Sequence, residues 1–317
     1  MACSLIIRKI NFLVRCTRDA ELRSFSAHML RGAFGNALTW LGRRYSDERG
    51  AGNDTYLAIY DEIFKVSGQR KYKPHIGGVS YNPYFFECDR FEKRHFSPGE
   101  QLTFSTVFIG EFADRHIQKL ITAVKLMVEG DICGCFDSFV LEAAVEDSNG
   151  LMYYKEGKYY DPAPEGWYWS DKENVPGSCS EIIVVFDENA PMHFTADLSN
   201  PGKKLSFKNF FEKVLQRIEV LCTDFSSGTQ LIEDWDGLLE RAEAISCDVP
   251  ADTETPFLIQ QNGRTKSGEG RFLASGEIRY AGNLTEFIPY IEACSVLHIG
   301  KGSSMDGSGH YTWRALR

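Results

Sequence analysis

The sequence has no long apolar run and lacks the features that mark a secreted or membrane protein. Its hydrophobic stretches extend over only a few residues, too few for a membrane-spanning helix. Arg8 and Lys9 follow the apolar Leu5-Ile6-Ile7, whereas a signal peptide places its positive charge first. The nine cysteines are odd in number and irregularly spaced, which does not suit a disulfide framework. We therefore expect a soluble protein of the reducing cytoplasm that does not associate with membranes.

Positive charge is in short supply overall, since the formal net charge is −9. It is nevertheless concentrated locally: residues 1–45 have a net charge of +6 and residues 65–95 of +4, whereas residues 96–255 carry −17. Phosphate binding needs a local positive surface rather than a basic total, so the net charge does not exclude nucleic acid as a partner. Two interpretations of the basic segments stay open, solvated faces or a nucleic-acid surface.

The 317 residues, of which 43% are hydrophobic, are enough for two domains with their own cores. Apolar periodicity over residues 1–150 predicts the order strand, helix, strand, helix, strand, with an insertion at about 45–95 that has room for one more strand. This order is typical of a βαββαβ domain. Residues 151–180 are interpreted as a connecting segment, and the pattern returns over 181–317. The predicted fold class is α+β, with two tandem ferredoxin-like (RRM-like) domains.

The element bounds follow from the spacing of apolar residues and from turn formers. Helices are predicted at Ser26–Arg43, Arg115–Val128, Ser206–Cys222 and Leu284–Val296. Strands are predicted at Ser4–Arg15, Gln101–Ile109, Phe136–Val145, Glu181–Phe186, Pro256–Gln261, Gly276–Ala281 and His310–Leu316.

A glycine-rich segment, HIGKGSSMDGSGHY, occupies residues 298–311. It is not a P-loop, because Lys301 is followed by Gly302 rather than by serine or threonine. Too few residues follow Gly309 for the helix and strand that a dinucleotide fingerprint requires. Two interpretations remain. The backbone approaches a phosphate backbone closely, or glycine provides the positive φ of a tight connection.

At this segment the chain begins to resemble a known family. Tyr280-Ala281-Gly282-Asn283-Leu284, followed by HIGKGSS and GSGHY, resembles the C-terminal signature of the CRISPR precursor-RNA processing endoribonucleases of the RAMP superfamily. Earlier segments agree in order and spacing. They are LRGAFGNAL at 30–38, NPYF at 82–85, FSPGE at 96–100, FIG at 108–110 and VLQRI at 214–218.

The resemblance implies two ferredoxin-like domains with RNA bound across them. It also implies metal-independent cleavage of CRISPR repeat RNA into guide crRNAs by 2′-OH attack, which leaves a 2′,3′-cyclic phosphate and needs no cofactor. The implied partner is repeat RNA with its crRNA product. Whether the protein works alone, as a dimer or with other CRISPR-associated proteins of an interference complex stays open. An alternative stays open, a non-catalytic RAMP subunit that holds guide RNA, because Asn36 stands where many relatives have histidine.

Cleavage without a metal needs an acid or base that titrates near neutrality and a cation for the phosphate. His28 and Arg31 are the candidate catalytic residues, since both point away from the apolar stripe of the first predicted helix. His28 would serve as general acid or base and Arg31 as the phosphate cation. The alternative is a solvent-facing histidine beside a surface ion pair. The candidate RNA-binding residues are Gly300, Lys301, Gly302, Ser303, Gly307, Gly309 and His310.

Three other histidines and one cysteine pair also bear on catalysis, RNA contact and metal binding. His310 and His298 flank the glycine-rich segment and are second candidates for catalysis, although RNA contact or a structural role suits them better. His95 lies beside Lys93 and Arg94, where an RNA contact and a solvated charge cluster both stay open. The one C-x-C pair has no matching Cys/His pair nearby, so no metal site is predicted.

Overall fold

The computed structural model describes residues 4–49, 55–64, 81–130, 136–162, 167–170, 177–196, 205–226, 232–249, 257–264, 270–300 and 307–316. The chain divides into two compact units. The first consists chiefly of Ile6–Tyr72 and Ser80–Tyr168, and the second chiefly of Trp169–Arg317. The predicted domain limits stay a prediction.

The first unit is built on an antiparallel sheet around β1 (Ser4–Cys16). On one side β1 pairs with β5 (Gln101–Ile109), from Ile7 opposite Ile109 to Arg15 opposite Gln101. On its other side it pairs with β6 (Phe139–Glu146). With β3 (Tyr84–Glu87), β7 (Met152–Lys155) and β8 (Lys158–Tyr159), the strand order is β3-β5-β1-β6-β7-β8. β2 (Ala20–Phe25) and β4 (Phe91–Phe96) form a separate two-stranded ribbon.

The described part of the first unit has three helices: α1 (Ala27–Arg49), α2 (Thr55–Phe64) and α3 (Phe112–Glu129). α1 contacts both α2 and α3. Its predicted apolar stripe is confirmed, because the residues that recur at helical spacing are all buried, namely Leu30, Phe34, Ala37, Leu38 and Leu41. α2 was not predicted, since the segment 45–95 shows no sustained periodicity.

The second unit has β10 (Glu181–Phe186) at the centre of its sheet. β10 pairs with β14 (Gly270–Ala281) and with β15 (Tyr311–Ala315), both antiparallel. The long β14 also pairs with three short strands, which are β11 (Met192–Ala196), β12 (Ser246–Asp248) and β13 (Leu258–Arg264). β9 (Trp167–Ser170) spans the division between the units.

The helices of the second unit are α4 (Phe207–Phe225), α5 (Trp235–Ala242) and α6 (Ile288–Leu297). α4 packs against α6 and α5. The predicted last helix starts later than expected, because a 3₁₀ turn at Thr285–Phe287 precedes it and Pro289 occupies its first turn. The α+β class with antiparallel sheets is confirmed.

Candidate functional site

The C-terminal end of α6 leads directly into the glycine-rich segment. Arg217 of α4 is fully buried, and its Nε and Nη2 donate to the Leu297 carbonyl over 3.1 and 3.0 Å. This carbonyl lies at a helix end, where no further helical N–H is available to it. The next residue, His298, has a φ of 56°, which side-chain-bearing residues rarely adopt. The chain therefore leaves α6 through a sharp turn that a buried arginine fixes.

Three glycines shape the two ends of this segment. Gly300, Gly307 and Gly309 have φ values of 86°, 73° and 80°, and all three are buried. The Gly309 N–H donates to the Ala190 carbonyl at 2.8 Å, and a Cβ added to Gly309 would collide with the Ile299 carbonyl. At these positions glycine provides the positive φ and the close approach that a tight connection needs. Lys301, Gly302 and Ser303 lie outside the described residues.

His298 and His310 meet at the base of the segment, with ring centroids 4.8 Å apart. The His310 Nδ1 lies 3.2 Å from Asp187 Oδ2, and the His298 Nδ1 lies 2.6 Å from the Gly307 carbonyl. Both partner oxygens can only accept, so each Nδ1 carries the proton. His298 is buried, whereas the His310 side chain is 31% exposed. Of the two, His310 is the one that a ligand can reach.

Asp187 is the partner that sequence reasoning missed. The hydrogen bond from His310 lowers the pKa of the Asp187 carboxyl, and the nearby His298 adds to this effect. The Asp187 N–H also donates to the His310 carbonyl at 3.2 Å, which fixes the two residues through backbone as well as side chain. A carboxylate that accepts from Nδ1 orients the imidazole and defines its tautomer. No motif flags Asp187, because it is one of two adjacent carboxylates that follow a strand.

His28 and Arg31 lie at the start of α1 in the first unit. The Ser26 Oγ accepts from the Met29 N–H at 3.3 Å and so caps the helix, and His28 is exposed in the first turn. Arg31, one turn along, has its guanidinium 5.3 Å from the centroid of the Phe64 ring. Its Nη2 donates over 2.9 Å to the Asn82 side-chain oxygen when that amide is oriented for its partners. The helix start thus carries an exposed imidazole and, one turn along, a guanidinium that Phe64 and Asn82 contact.

The helix face around this pair is only partly open to solvent. Gly35 is buried, and the Phe64 ring lies 3.0 Å from the position that a Cβ on Gly35 would occupy. By contrast, Gly32 is exposed with open space beside it. Asn36 is exposed as well. The prediction had no α2, and it is α2 that covers the Gly35 side of the helix.

The structure thus assembles Gly300, Gly307, Gly309, His298 and His310 in the second unit. In the part of the chain that it describes, no cluster of three or more His, Cys, Asp or Glu could hold a metal ion. None of the described helices combines the length and apolarity that a membrane crossing requires.

One family model and several solved structures are similar to this chain. A family model described as AF_1859_N, an N-terminal domain, matches residues 5–162. No curated protein matches the chain. A solved Cas6 product complex is 14% identical, covers 98% of this chain and 99% of its own, and gives a TM-score of 0.52. A second Cas6 product complex is also 14% identical, covers 98% and 100%, and gives a TM-score of 0.45.

A structure of a Cas6-related gene product from Pyrococcus furiosus is 12% identical and covers 98% of this chain and 99% of its own, with a TM-score of 0.45. The first of the three matches shows the fold. The chain has the fold of a Cas6 protein over nearly its whole length. The likeness that the sequence motifs indicate is thus confirmed as a likeness of fold.

Proposed function

We propose that the chain is a CRISPR-associated RAMP-type protein that binds CRISPR repeat RNA and cuts precursor transcripts into guide crRNAs without a metal or cofactor. The observation that carries the proposal is the fold shared with a Cas6 product complex over 98% of the chain. The exposed His28 with Arg31 and the oriented His310 supply groups suited to this chemistry.

We infer in addition that both units are ferredoxin-like. In the first, β1, α1, β3, β5, α3 and β6 follow a βαββαβ order, and the sheet order β3-β5-β1-β6 is antiparallel throughout. In the second, β10, α4, the β13–β14 pair, α6 and β15 repeat that order. The extra strands and α2 are additions to this plan.

The proposed reaction is attack of a ribose 2′-OH on the adjacent phosphorus. A base takes the hydroxyl proton, the bond between phosphorus and the 5′-oxygen breaks, and an acid returns a proton to that oxygen. The products are a 2′,3′-cyclic phosphate and a 5′-hydroxyl. His28 acts as the general acid or base, and Arg31 neutralises the phosphate charge. The pair lies at a capped helix start, where backbone N–H groups and the helix dipole also favour a phosphate.

The second unit contributes RNA contacts in this proposal. Lys301, Gly302 and Ser303 contact the RNA backbone, and Gly300, Gly307 and Gly309 hold the loop in shape. His310, oriented by Asp187, contacts RNA and is the next candidate acid or base if His28 is not used. The rival function is a guide-holding RAMP subunit that does not cut, which the exposed Asn36 in place of histidine favours.

The test is incubation of the purified protein with its genomic repeat RNA in EDTA. Cleavage and affinity are measured for wild type, His28→Ala and, as a matched control, His193→Ala, which removes another exposed histidine. Cutting to a cyclic phosphate that only His28→Ala loses, with affinity kept, supports the proposal. If His28→Ala cuts as wild type does, His310 becomes the next candidate for the catalytic residue. Tight binding without cutting by wild type establishes the guide-holding rival.

A further inference from the structure

The ribbon formed by β2 and β4 concentrates exposed cations in the first unit. We call basic ribbon the two strands together with Arg90, which precedes β4. Arg23 and Lys93 are direct cross-strand partners, and their side chains are 75% and 54% exposed. Arg90, Arg94 and His95 are exposed as well. Like charges opposite each other on a strand pair repel, so this arrangement costs stability unless an anion lies between them.

One carboxylate fills that position. Glu21 accepts from Arg23 Nε at 2.5 Å and from Lys93 Nζ at 2.9 Å, and His95 Nε2 lies 3.1 Å from it. Hydrogen bonds from Lys93 and Arg23 lower the pKa of the Glu21 carboxyl to about 2. Three cationic or protonatable side chains therefore converge on one anionic oxygen group at the surface. This is the donor geometry that a phosphate would meet.

A backbone irregularity at Ser24 interrupts β2 next to Arg23. Ser24 has a φ of 56°, so the usual alternation of strand faces is interrupted there. Leu22 and Phe25 are both buried although they are three residues apart, and Arg23 and Ser24 are both exposed between them. The register resumes with Phe25 opposite Phe91. A regular strand would place Arg23 and Phe25 on the same face.

A surface cavity of about 530 Å³, large enough for a nucleotide, includes Ser24 in its lining. Its lining includes three cationic residues, Arg23, Arg90 and Lys93, and one carboxylate, Glu92, and it lies over the stacked rings of Phe91 and the fully buried Phe25. A groove lined by cationic side chains suits the backbone of a single-stranded nucleic acid. Ser26, which also lines the cavity, caps α1, so the cavity adjoins the helix start that carries His28.

The geometry points to a phosphate-backbone site. The basic ribbon binds a single-stranded RNA segment through Arg23, Arg90 and Lys93, and Glu21 holds the cations in position until phosphates replace it. This inference rests on the proposed RNA-binding function and adds a site to it. A strand bound there leads toward His28, because the cavity and the histidine share the beginning of α1.

The test measures binding of a fluorescein-labelled genomic repeat RNA with unpaired flanks, from about 50 to about 300 mM salt. The variant is Arg23→Ala/Lys93→Ala. The matched control is Arg18→Ala/Arg115→Ala, which removes two exposed, ion-paired arginines of the same unit outside the basic ribbon. Loss of two phosphate contacts should lower the salt slope by about 1.4 and weaken binding about tenfold near 0.1 M salt. The control should match wild type.

Glu21→Gln should change the affinity for RNA in the opposite direction. Without the carboxylate charge, Arg23 and Lys93 are free to bind phosphate, so affinity for the same RNA should rise several-fold. Circular dichroism confirms that each variant is folded. If wild type binds and cuts RNA while neither the double variant nor Glu21→Gln changes affinity or salt slope, the ribbon inference is overturned and the proposed function stands.

Two further outcomes are decisive. If wild type does not bind repeat RNA at all, both proposals fall together. If inorganic phosphate stabilises wild type but not Arg23→Ala/Lys93→Ala in a thermal shift, and the RNA salt slope is the same for both, the ribbon is a site for free phosphate. That result overturns RNA as its ligand.

Discussion

His28 and His310 occupy opposite kinds of surroundings in the two units. His28 is exposed at a helix start, and among the described residues it has no hydrogen-bond or ion-pair partner. His310 is tied to Asp187 by side chain and backbone, and its ring packs on the buried His298. An exposed imidazole without such partners can contact a substrate and exchange protons with it. An imidazole that is hydrogen-bonded to a carboxylate has a fixed tautomer and also stabilises the fold. Substitutions in the first region should therefore change activity alone, and those in the second should change stability too.

The largest expected effect is on cleavage by His28→Ala. Removal of a general acid or base typically slows a reaction by about 10²- to 10⁴-fold, and the exposed side chain contributes nothing to packing. Thermal unfolding of the variant should match wild type, while single-turnover cleavage of repeat RNA should fall. Added imidazole should restore part of the rate. The comparison breaks if His28→Ala unfolds at a lower temperature than wild type.

Next in size is Gly309→Ala, on the tied side of the comparison. Its φ of 80° is unfavourable for alanine, and the new Cβ would meet the Ile299 carbonyl. Together these effects should destabilise the protein by about 3 kcal/mol, which urea unfolding would measure. Gly300→Ala is the control for conformational strain alone, because Gly300 has a similar φ of 86° and a Cβ there would meet its nearest atom only at 3.8 Å. Equal stability of Gly309→Ala and wild type would show that the loop ends are not held as described.

A smaller effect is expected from Asp187→Asn. The pKa of Asp187 is lowered in the folded state, so the carboxylate contributes stability above its unfolded pKa, and this contribution disappears as the pH falls through the folded value. At neutral pH the variant should lose about 1 kcal/mol or less, because the side chain is 36% exposed. Unfolding from pH 7 to pH 3 should show the two proteins converging at the acidic end. A difference that persists unchanged at pH 3 would contradict an ionic origin.

Local pattern was enough to predict much of the fold. β5 and β10 have the predicted bounds, because each is an apolar run bounded by turn formers or polar residues. The α1 stripe was found for the same reason. α2 was missed because its ten residues, TYLAIYDEIF, are too short and too evenly apolar to show a period.

The site was only partly accessible to sequence reasoning. The histidines could be singled out by residue type, since few side chains titrate near neutrality. Asp187 could not, because it lies 123 residues from His310. Only the β10–β15 pairing, with Phe186 opposite Tyr311, sets Asp187 beside His310. Long-range strand register is a property of the folded sheet, and the spacing of residues along one chain does not contain it.

The smallest expected effect, and the sharpest test of the untied side, is Gly32→Ala. Gly32 lies one residue after Arg31 on α1, and a Cβ there would meet no atom within 4 Å. Alanine should therefore stabilise the exposed helix by about 0.5–1 kcal/mol, since glycine is the poorer helix former. If RNA passes this face at a distance, cleavage should be unchanged while the unfolding temperature rises. If instead cleavage falls in a more stable protein, the backbone of the substrate comes close to Gly32, and the open space beside His28 and Arg31 is part of the binding surface.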